Sequence, residues 1–294
     1  MRKIFIQELT KINNKKKNIY LVINDLGYNV VEPFSNKFPK RFFNAGVSEQ
    51  NMMGMSAGIA SEKCHTFVYS IANFSTFRCA EQIRNDIDYH KLPVTIVSVG
   101  SGVGYGNLGY SHHALQDLAL MRSFPNMLIL APGNNNELVS SLKYITNNPQ
   151  PSYLRLDKDE CIESKRKKNI KIIPGKLIRI LNASKKNVII VTGKNQEIAI
   201  EMSKNKYKGY SVFSLPMWGM STKKNFFYSI NKFKNIVTVE DHFQDARFGS
   251  WVNEILSFYK KKINITSEFI SANSIYDVGS KIYLLKKYGP KLKK

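Results

Sequence analysis

Short apolar runs alternate along this chain with longer amphipathic stretches. Ile19–Asn24, Arg41–Asn44, Thr66–Tyr69, Val94–Val99, Met127–Ala131 and Tyr153–Leu156 read as strands. Most of them are continuous runs of Val, Ile and Leu, the pattern of strands buried on both faces. Between them, Ser48–Glu62, Phe74–His90, His112–Ser123 and Asn134–Asn147 have the length of helices. The N-terminal MRKIFIQELTKINNKKK sets Ile4 or Phe5, Ile6, Leu9 and Ile12 on one face of a further helix, and it lacks the continuous apolar region of a signal peptide. Such alternation predicts a parallel sheet with helices on both sides.

The pattern breaks after Leu156. Lys158–Asn169 is polar and highly charged and reads as a linker. A second alternating series follows, with strands at Asn187–Thr192, Tyr210–Leu215 and Ile236–Val239 and helices at Gln196–Lys204, Gly249–Lys260 and Ser271–Lys287. The expectation is an α/β protein of two three-layer domains with mostly parallel sheets, residues 1–164 and 165–294.

Composition narrows the class. The 294 residues are 43% hydrophobic, enough for two cores of ordinary size. No apolar run approaches the ~20 residues of a membrane helix. Cys64, Cys79 and Cys161 are scattered and form no CxxC pair, which fits a reducing cytoplasm and argues against a zinc or disulfide framework. The net charge is +22. Its lysines cluster at Lys15–Lys17, Lys165–Lys168, Lys260–Lys262 and Lys291–Lys294 rather than on one arginine-rich, aromatic-laced face. That distribution favours a solvated surface over a nucleic-acid groove.

Candidate chemistry gathers around Arg41–Glu62, RFFNAGVSEQNMMGMSAGIASE. Ser48 stands at a helix N-cap, and the apolar and small residues after it predict a helix buried on nearly every side. Glu49 falls in its first turn. The helix dipole alone favours an acid there by a few tenths to ~1 kcal/mol, so Glu49 alone carries either a capping or a chemical role. In SIANFSTFRCAEQIRNDI, Ile71, Phe74 and Phe77 recur three apart and share a face, as core or as a binding wall. Gly104-x-Gly106-x-x-Gly109 matches GxGxxG after a strand. The following helix opens too late, around Ser111–His113, and no acid ends the next strand, which excludes a dinucleotide site. His112 then stands as a candidate acid–base group or as an ordinary first-turn histidine. Asp25 ends the first strand, where α/β sheets place ligands, and a turn-forming role is the equal alternative. Glu240, Asp241 and His242 adjoin, but no spaced ligand set completes a metal site.

Taken together, NAGVSEQNMMGMSAGIA, the aromatic segment, the Ser-His after the glycine turn and VTVEDHFQDARFGSWVNEIL resemble the second half of the transketolase family, from about Asp25 to about Leu256. The resemblance implies a pyrimidine-binding domain followed by a transketolase C-terminal domain. It implies thiamine diphosphate as cofactor, with Glu49 bonding the N1′ edge of the aminopyrimidine and burial raising its pKa. It makes Ile71, Phe74 and Phe77 the apolar bed of that ring, with Ile71 where larger enzymes often have another Phe. His112 would point at the substrate and Asp25 would lie near its channel. Lys158, with Arg155 three residues before it, stands where the family holds the substrate phosphate with Arg; a Lys there keeps the charge without the fork.

The family's N-terminal domain grips the diphosphate through a metal with a Gly-Asp-Gly run, and this sequence has none. The resemblance therefore implies the C-terminal subunit of a split transketolase. Mg²⁺ or Ca²⁺ would be ligated mainly by an N-terminal partner subunit in a heterotetramer or dimer of heterodimers acting on sugar phosphates. The alternatives are a 1-deoxyxylulose-5-phosphate synthase-like enzyme, a 2-oxoacid dehydrogenase β-like subunit, and a non-catalytic subunit of the same fold. The string HHALQDLALMRSFPN favours the transketolase side.

Overall fold

The computed structural model describes residues 1–159 and 170–292. Its first sheet is built from β1 (Ile19–Ile23), β2 (Phe42–Asn44), β3 (His65–Ile71), β4 (Val94–Val99), β5 (Leu128–Leu130) and β6 (Ser152–Leu156). All of these pair in parallel. The second half adds β7 (Ile178–Leu181), β8 (Asn187–Val191), β9 (Ser211–Ser214), β10 (Met217–Gly219), β11 (Asn235–Val239) and β12 (Asn264–Glu268). The second sheet has the order β12-β11-β8-β9-β7, with only β7 antiparallel.

The strand β10 does not join the second sheet. It pairs antiparallel with β5 and completes a seven-stranded first sheet in the order β10-β5-β6-β4-β3-β1-β2. The two halves therefore share a sheet edge as well as a core. The largest apolar cluster runs from Met52, Met53 and Ile129 to Trp218, Phe226 and Trp251. Full burial of side chains of this size contributes roughly 1.5–3 kcal/mol each. The boundary expected between residues 164 and 165, nearly all of the expected linker, the Lys165–Lys168 cluster and Cys161 lie outside the described residues.

The N-terminal helix Arg2–Lys16 buries Phe5, Ile6 and Leu9, and Asn13 accepts a hydrogen bond from the Ile19 amide at 3.1 Å, which fixes its exit into β1. The helix Glu49–Ser61 buries Glu49, Met52, Met53, Ser56, Ala57 and Ala60. Its opposite face departs from the expected all-round burial, since Gln50, Asn51, Gly54, Gly58 and Ser61 are exposed. Ser48 holds the N-cap position, but its hydroxyl donates back to the Ala45 carbonyl at 2.6 Å instead of accepting from the helix.

Three expected helices are broken. Phe74–His90 divides into a helix at Ala72–Thr76, a 3-10 turn at Phe77–Cys79, a short helix at Ala80–Gln82 and a π-helix at Ile83–Asp88. The Ser75 and Thr76 hydroxyls bond carbonyls of the preceding turn, which bends a helix. His112–Ser123 becomes a 3-10 turn at Tyr110–His112 and a helix only over Asp117–Met121, because Ala114 is drawn into bridges with Ser101 and Gly102. Ser271–Lys287 is a 3-10 turn at Ala272–Tyr276 and a helix restarting at Lys281, capped by the Ser280 hydroxyl. Among the described residues no helix is long and apolar enough to cross a membrane.

Candidate active site

The strands β1 and β3 end side by side, and the Glu49 helix begins beside them. This is the edge where a parallel sheet presents residues to a ligand. Glu49 lies in the helix's first turn and is 3% exposed. Its Oε1 accepts from Asn24 Nδ2 at 2.9 Å, and its Oε2 accepts from an Arg78 guanidinium nitrogen at 2.7 Å. Burial alone would raise the Glu49 pKa, but the helix-start amide, Arg78 and Asn24 outweigh it, so the carboxyl sits below its ordinary value. That reverses the direction expected from burial.

Arg78 is half-exposed and reaches Glu49 across the face of Phe74, its Cζ standing 5.3 Å from that ring's centroid. Phe74 meets His112 edge-on with centroids 5.1 Å apart. Asn73 Nδ2 donates to the Ser111 carbonyl at 3.0 Å and ties the aromatic segment to the glycine-rich loop. Ser111 Oγ lies 2.9 Å from His112 Nδ1, and burial lowers the His112 pKa. Glu49, Phe74 and His112, distant in sequence, thus form one line with Arg78 between the first two. Ile71 ends β3 and Phe77 opens the next turn, 45% exposed.

Asp25 has a left-handed backbone, φ 56°, and its carboxylate accepts from Asn44 Nδ2 at 3.0 Å. It pins the end of β1 to the end of β2 while remaining exposed. A cavity of about 270 Å³ opens beside Ile71, lined by Arg2, Tyr28, Tyr69, Ser70 and Tyr105 among others. Among the described residues the Ser70 hydroxyl there is buried without a protein partner. The Tyr105 ring packs over Gly100 and leaves no room for a Cβ there, and the positive φ of 93° favours glycine at that position as well. Lys158 is exposed and stands 4.8 Å from the Tyr105 ring centroid.

Arg155 is elsewhere. Its Nε donates to Asp117 at 2.7 Å, one terminal nitrogen to Asp241 at 2.7 Å and the other to the Ala114 carbonyl at 2.8 Å. It is 3% exposed. With four of its five N–H groups engaged and its side chain buried, this guanidinium offers no free fork for a substrate phosphate, unlike the role the resemblance implied for Arg155. Asp241 and His242 belong to the same junction, His242 Nε2 lying 2.8 Å from Asp117. Glu240 accepts from Arg247 and from the first amides of the Phe248–Phe258 helix. Asp241 and His242 thus join the halves by ion pairing and hydrogen bonding, whereas Glu240 anchors a helix start within the second half.

Asn24, Arg78, Tyr105 and Arg2 were not singled out from the sequence. Arg78 follows Phe74 by four residues, the spacing of a cation–aromatic pair on a helix, so a local signal existed. Arg2 comes to the cavity only through the docking of the N-terminal helix, which nothing local encodes.

The transketolase pyrimidine-binding domain family matches residues 1–162. A putative transketolase C-terminal section from Methanocaldococcus jannaschii is 32% identical over 98% of this chain and 92% of its own length. One of the subunits of an apulose-4-phosphate transketolase from Actinobacillus succinogenes is 29% identical over 88% of this chain and 84% of its own. A 1-deoxy-D-xylulose-5-phosphate synthase from Halothermothrix orenii is 30% identical over 86% of this chain but only 40% of its own length. A solved split-gene transketolase, described as an inactive beta4 tetramer, superposes with a TM-score of 0.83 at 28% identity over 99% of this chain and 93% of that one. The chain belongs to the transketolase family.

Proposed function

We propose that this chain is the C-terminal subunit of a two-subunit transketolase. It would transfer a two-carbon ketol unit from a ketose phosphate to an aldose, with thiamine diphosphate bound between it and an N-terminal subunit. Residues 1–164 form the pyrimidine-binding domain and residues 165–294 the C-terminal domain in this reading. The observation that carries it is Glu49: a buried carboxylate at a helix start, oriented by Asn24 and reached by a half-exposed side chain lying on an aromatic face.

These residues fit the ring half of thiamine diphosphate. Phe74, Phe77 and Ile71 would offer it a partly open apolar wall, and among the described residues the Asn24 side-chain oxygen is buried with no protein partner. The cofactor, when bound, supplies the carbon nucleophile that no side chain here provides. Glu49 would hold the N1′ edge of its aminopyrimidine through a hydrogen bond and serve as the proton-exchanging group there, with Asn24 keeping the carboxylate in place. Phe74 orients the ring by its face. His112, kept neutral by partial burial, turns one imidazole edge to Ser111 and leaves the other for a sugar oxygen. Lys158 and Arg2 bring positive charge to the Tyr105 end of the cavity, where a sugar phosphate finds its counter-charge, and Asp25 borders the entrance. The metal ligands belong to the N-terminal subunit, and the assembly is a dimer of heterodimers.

Thiamine diphosphate with Mg²⁺, titrated into the chain alone and then with its N-terminal subunit added, tests this reading. Tight binding only in the complex, followed by ketol transfer without release of carbon dioxide, is the expected result. Equally tight, metal-dependent binding by the chain alone, or consumption of pyruvate with carbon dioxide release, overturns it.

A further inference from the structure

We infer that Arg78 is a stand-in for the cofactor ring: in the free subunit its guanidinium occupies the place on Phe74 and against Glu49 that the aminopyrimidine takes on binding. The inference rests on the assignment of that ring to Glu49 and Phe74 above. Its own ground is geometric. One planar group makes both contacts at once, an N–H to Glu49 Oε2 at 2.7 Å and a face-on approach to Phe74 at 5.3 Å. A guanidinium is flat, delocalised, stacks on aromatic faces and donates in its own plane. An aminopyrimidine protonated at its ring nitrogen presents the same two features, a flat face and an N–H edge. Both groups cannot occupy that position together.

The burial asymmetry explains why a stand-in is favoured and why it can leave. Glu49 has a side-chain exposure of 3%, and a lone carboxylate so buried is costly, so a cation beside it stabilises its ionised form in the free chain. Arg78 is 52% exposed, so its charge is already largely hydrated and can swing to solvent at little cost. The hydrogen-bond partners around Glu49 support this role, since Arg78 is among the groups that hold its carboxyl ionised before cofactor arrives. Asn24 remains on the other oxygen throughout and keeps the carboxylate aimed.

The test is calorimetric titration of thiamine diphosphate with Mg²⁺ into the two-subunit complex, comparing wild type with Arg78→Gln. Removing the competitor is expected to tighten binding roughly two- to five-fold, the worth of a half-exposed ion pair. Unchanged or weaker binding by Arg78→Gln, with wild type binding normally, overturns the inference and leaves the assignment of the site standing. No binding by the wild-type complex overturns that assignment and the inference with it. A second readout needs no altered function: in arginine-¹⁵N spectra of the wild-type complex, the Arg78 guanidinium signal, restrained without cofactor, should become motionally averaged when cofactor is added. A signal that stays restrained in the loaded complex rejects the stand-in role.

Discussion

Two acids lie in two buried ion-pair clusters of this chain, and their partners differ in one respect. Asp117 is fully buried and so is everything that meets it: Tyr153 at 2.6 Å, Arg155 at 2.7 Å and His242 at 2.8 Å. Glu49 is nearly as buried, but one of its two side-chain partners is a half-exposed arginine that can exchange with solvent. The enclosed cluster ties β6 to the Asp117 helix and to the second half of the chain. The one with the exposed arginine opens at the end of the first sheet. Buried charge by itself thus distinguishes nothing; the exchangeability of the partner separates a clamp from a site.

The sharpest way to break the comparison is Glu49→Gln. In the assembled enzyme it should lower turnover by roughly 10²–10⁴-fold, the scale of losing a positioned proton-transfer group. Thermal unfolding should move little, since Asn24 can still meet the amide. A variant with near-normal turnover would remove Glu49 from the site. Arg155→Met addresses the other acid. It leaves Asp241 without its arginine and Asp117 with His242 and Tyr153 only, and should lower stability by about 3–5 kcal/mol in urea unfolding, with cofactor affinity affected only through the fold. If Arg155→Met instead left stability intact and raised KM for phosphorylated sugars, its place as a clamp would be wrong.

Acid titration extends the contrast. Burial alone would raise the Asp117 pKa, but Arg155 and His242 hold its carboxyl far below the usual carboxylate range. A folded-state pKa below the unfolded value near 3.9 gives stability that is present above about pH 4 and is lost as pH falls further. His65 acts earlier. Burial inside β3 lowers its pKa to about 3, against about 6.5 unfolded. The unfolded chain therefore takes up the proton first, and stability should fall by about 1.4 kcal/mol per pH unit between about pH 6.5 and 3 on this account. Unfolding free energies measured across that range in wild type and His65→Gln check it: the slope from this group should vanish in the variant.

Most of the parallel strands of both halves were legible because their apolar runs are continuous or nearly so, as in Ile19–Ile23 and Val188–Val191. The exceptions have physical causes. The edge strand β10 is three residues long, and its place in the first sheet is set by where Pro216 meets Ala131, not by its own pattern. The strand β12, Asn-Ile-Thr-Ser-Glu, has only one apolar residue and is held by its pairing with β11. At the candidate site, residue type and spacing left Glu49, Phe74 and His112 with ordinary structural alternatives; the family resemblance set them apart, and the fold brings them into one chain of contacts through Arg78. Arg155 misled for a related reason: an arginine three residues before a lysine has the same local pattern whether it faces a phosphate or two buried aspartates. Only tertiary contacts with Asp117 and Asp241 decide that.

Phe74→Ala should weaken thiamine diphosphate binding by roughly ten-fold, from the loss of stacking and burial worth ~1–2 kcal/mol. Since the same ring carries the Arg78 guanidinium and meets His112, its removal should also loosen both, and KM for the sugar should rise along with the cofactor Kd. A Kd unchanged within error would mean that the ring packs on some other wall.

The smallest expected effect belongs to Lys158, and it sharpens the contrast with Arg155 most cleanly. Lys158 is exposed over the Tyr105 ring, so whatever it contributes is a screened point charge at the mouth of the cavity. Lys158→Gln should raise KM for a phosphorylated ketose about two- to five-fold, leave kcat unchanged and leave stability within about 0.5 kcal/mol. The difference between wild type and variant should shrink as salt rises from 50 to 500 mM (roughly a three-fold drop in screening length), and should be absent for the unphosphorylated sugar at any salt. A KM effect shared equally by phosphorylated and unphosphorylated substrates would show that Lys158 acts by holding Tyr105 in place. The phosphate's counter-charge would then rest on Arg2 alone, at the end of the one helix whose approach to the cavity the local sequence does not reveal.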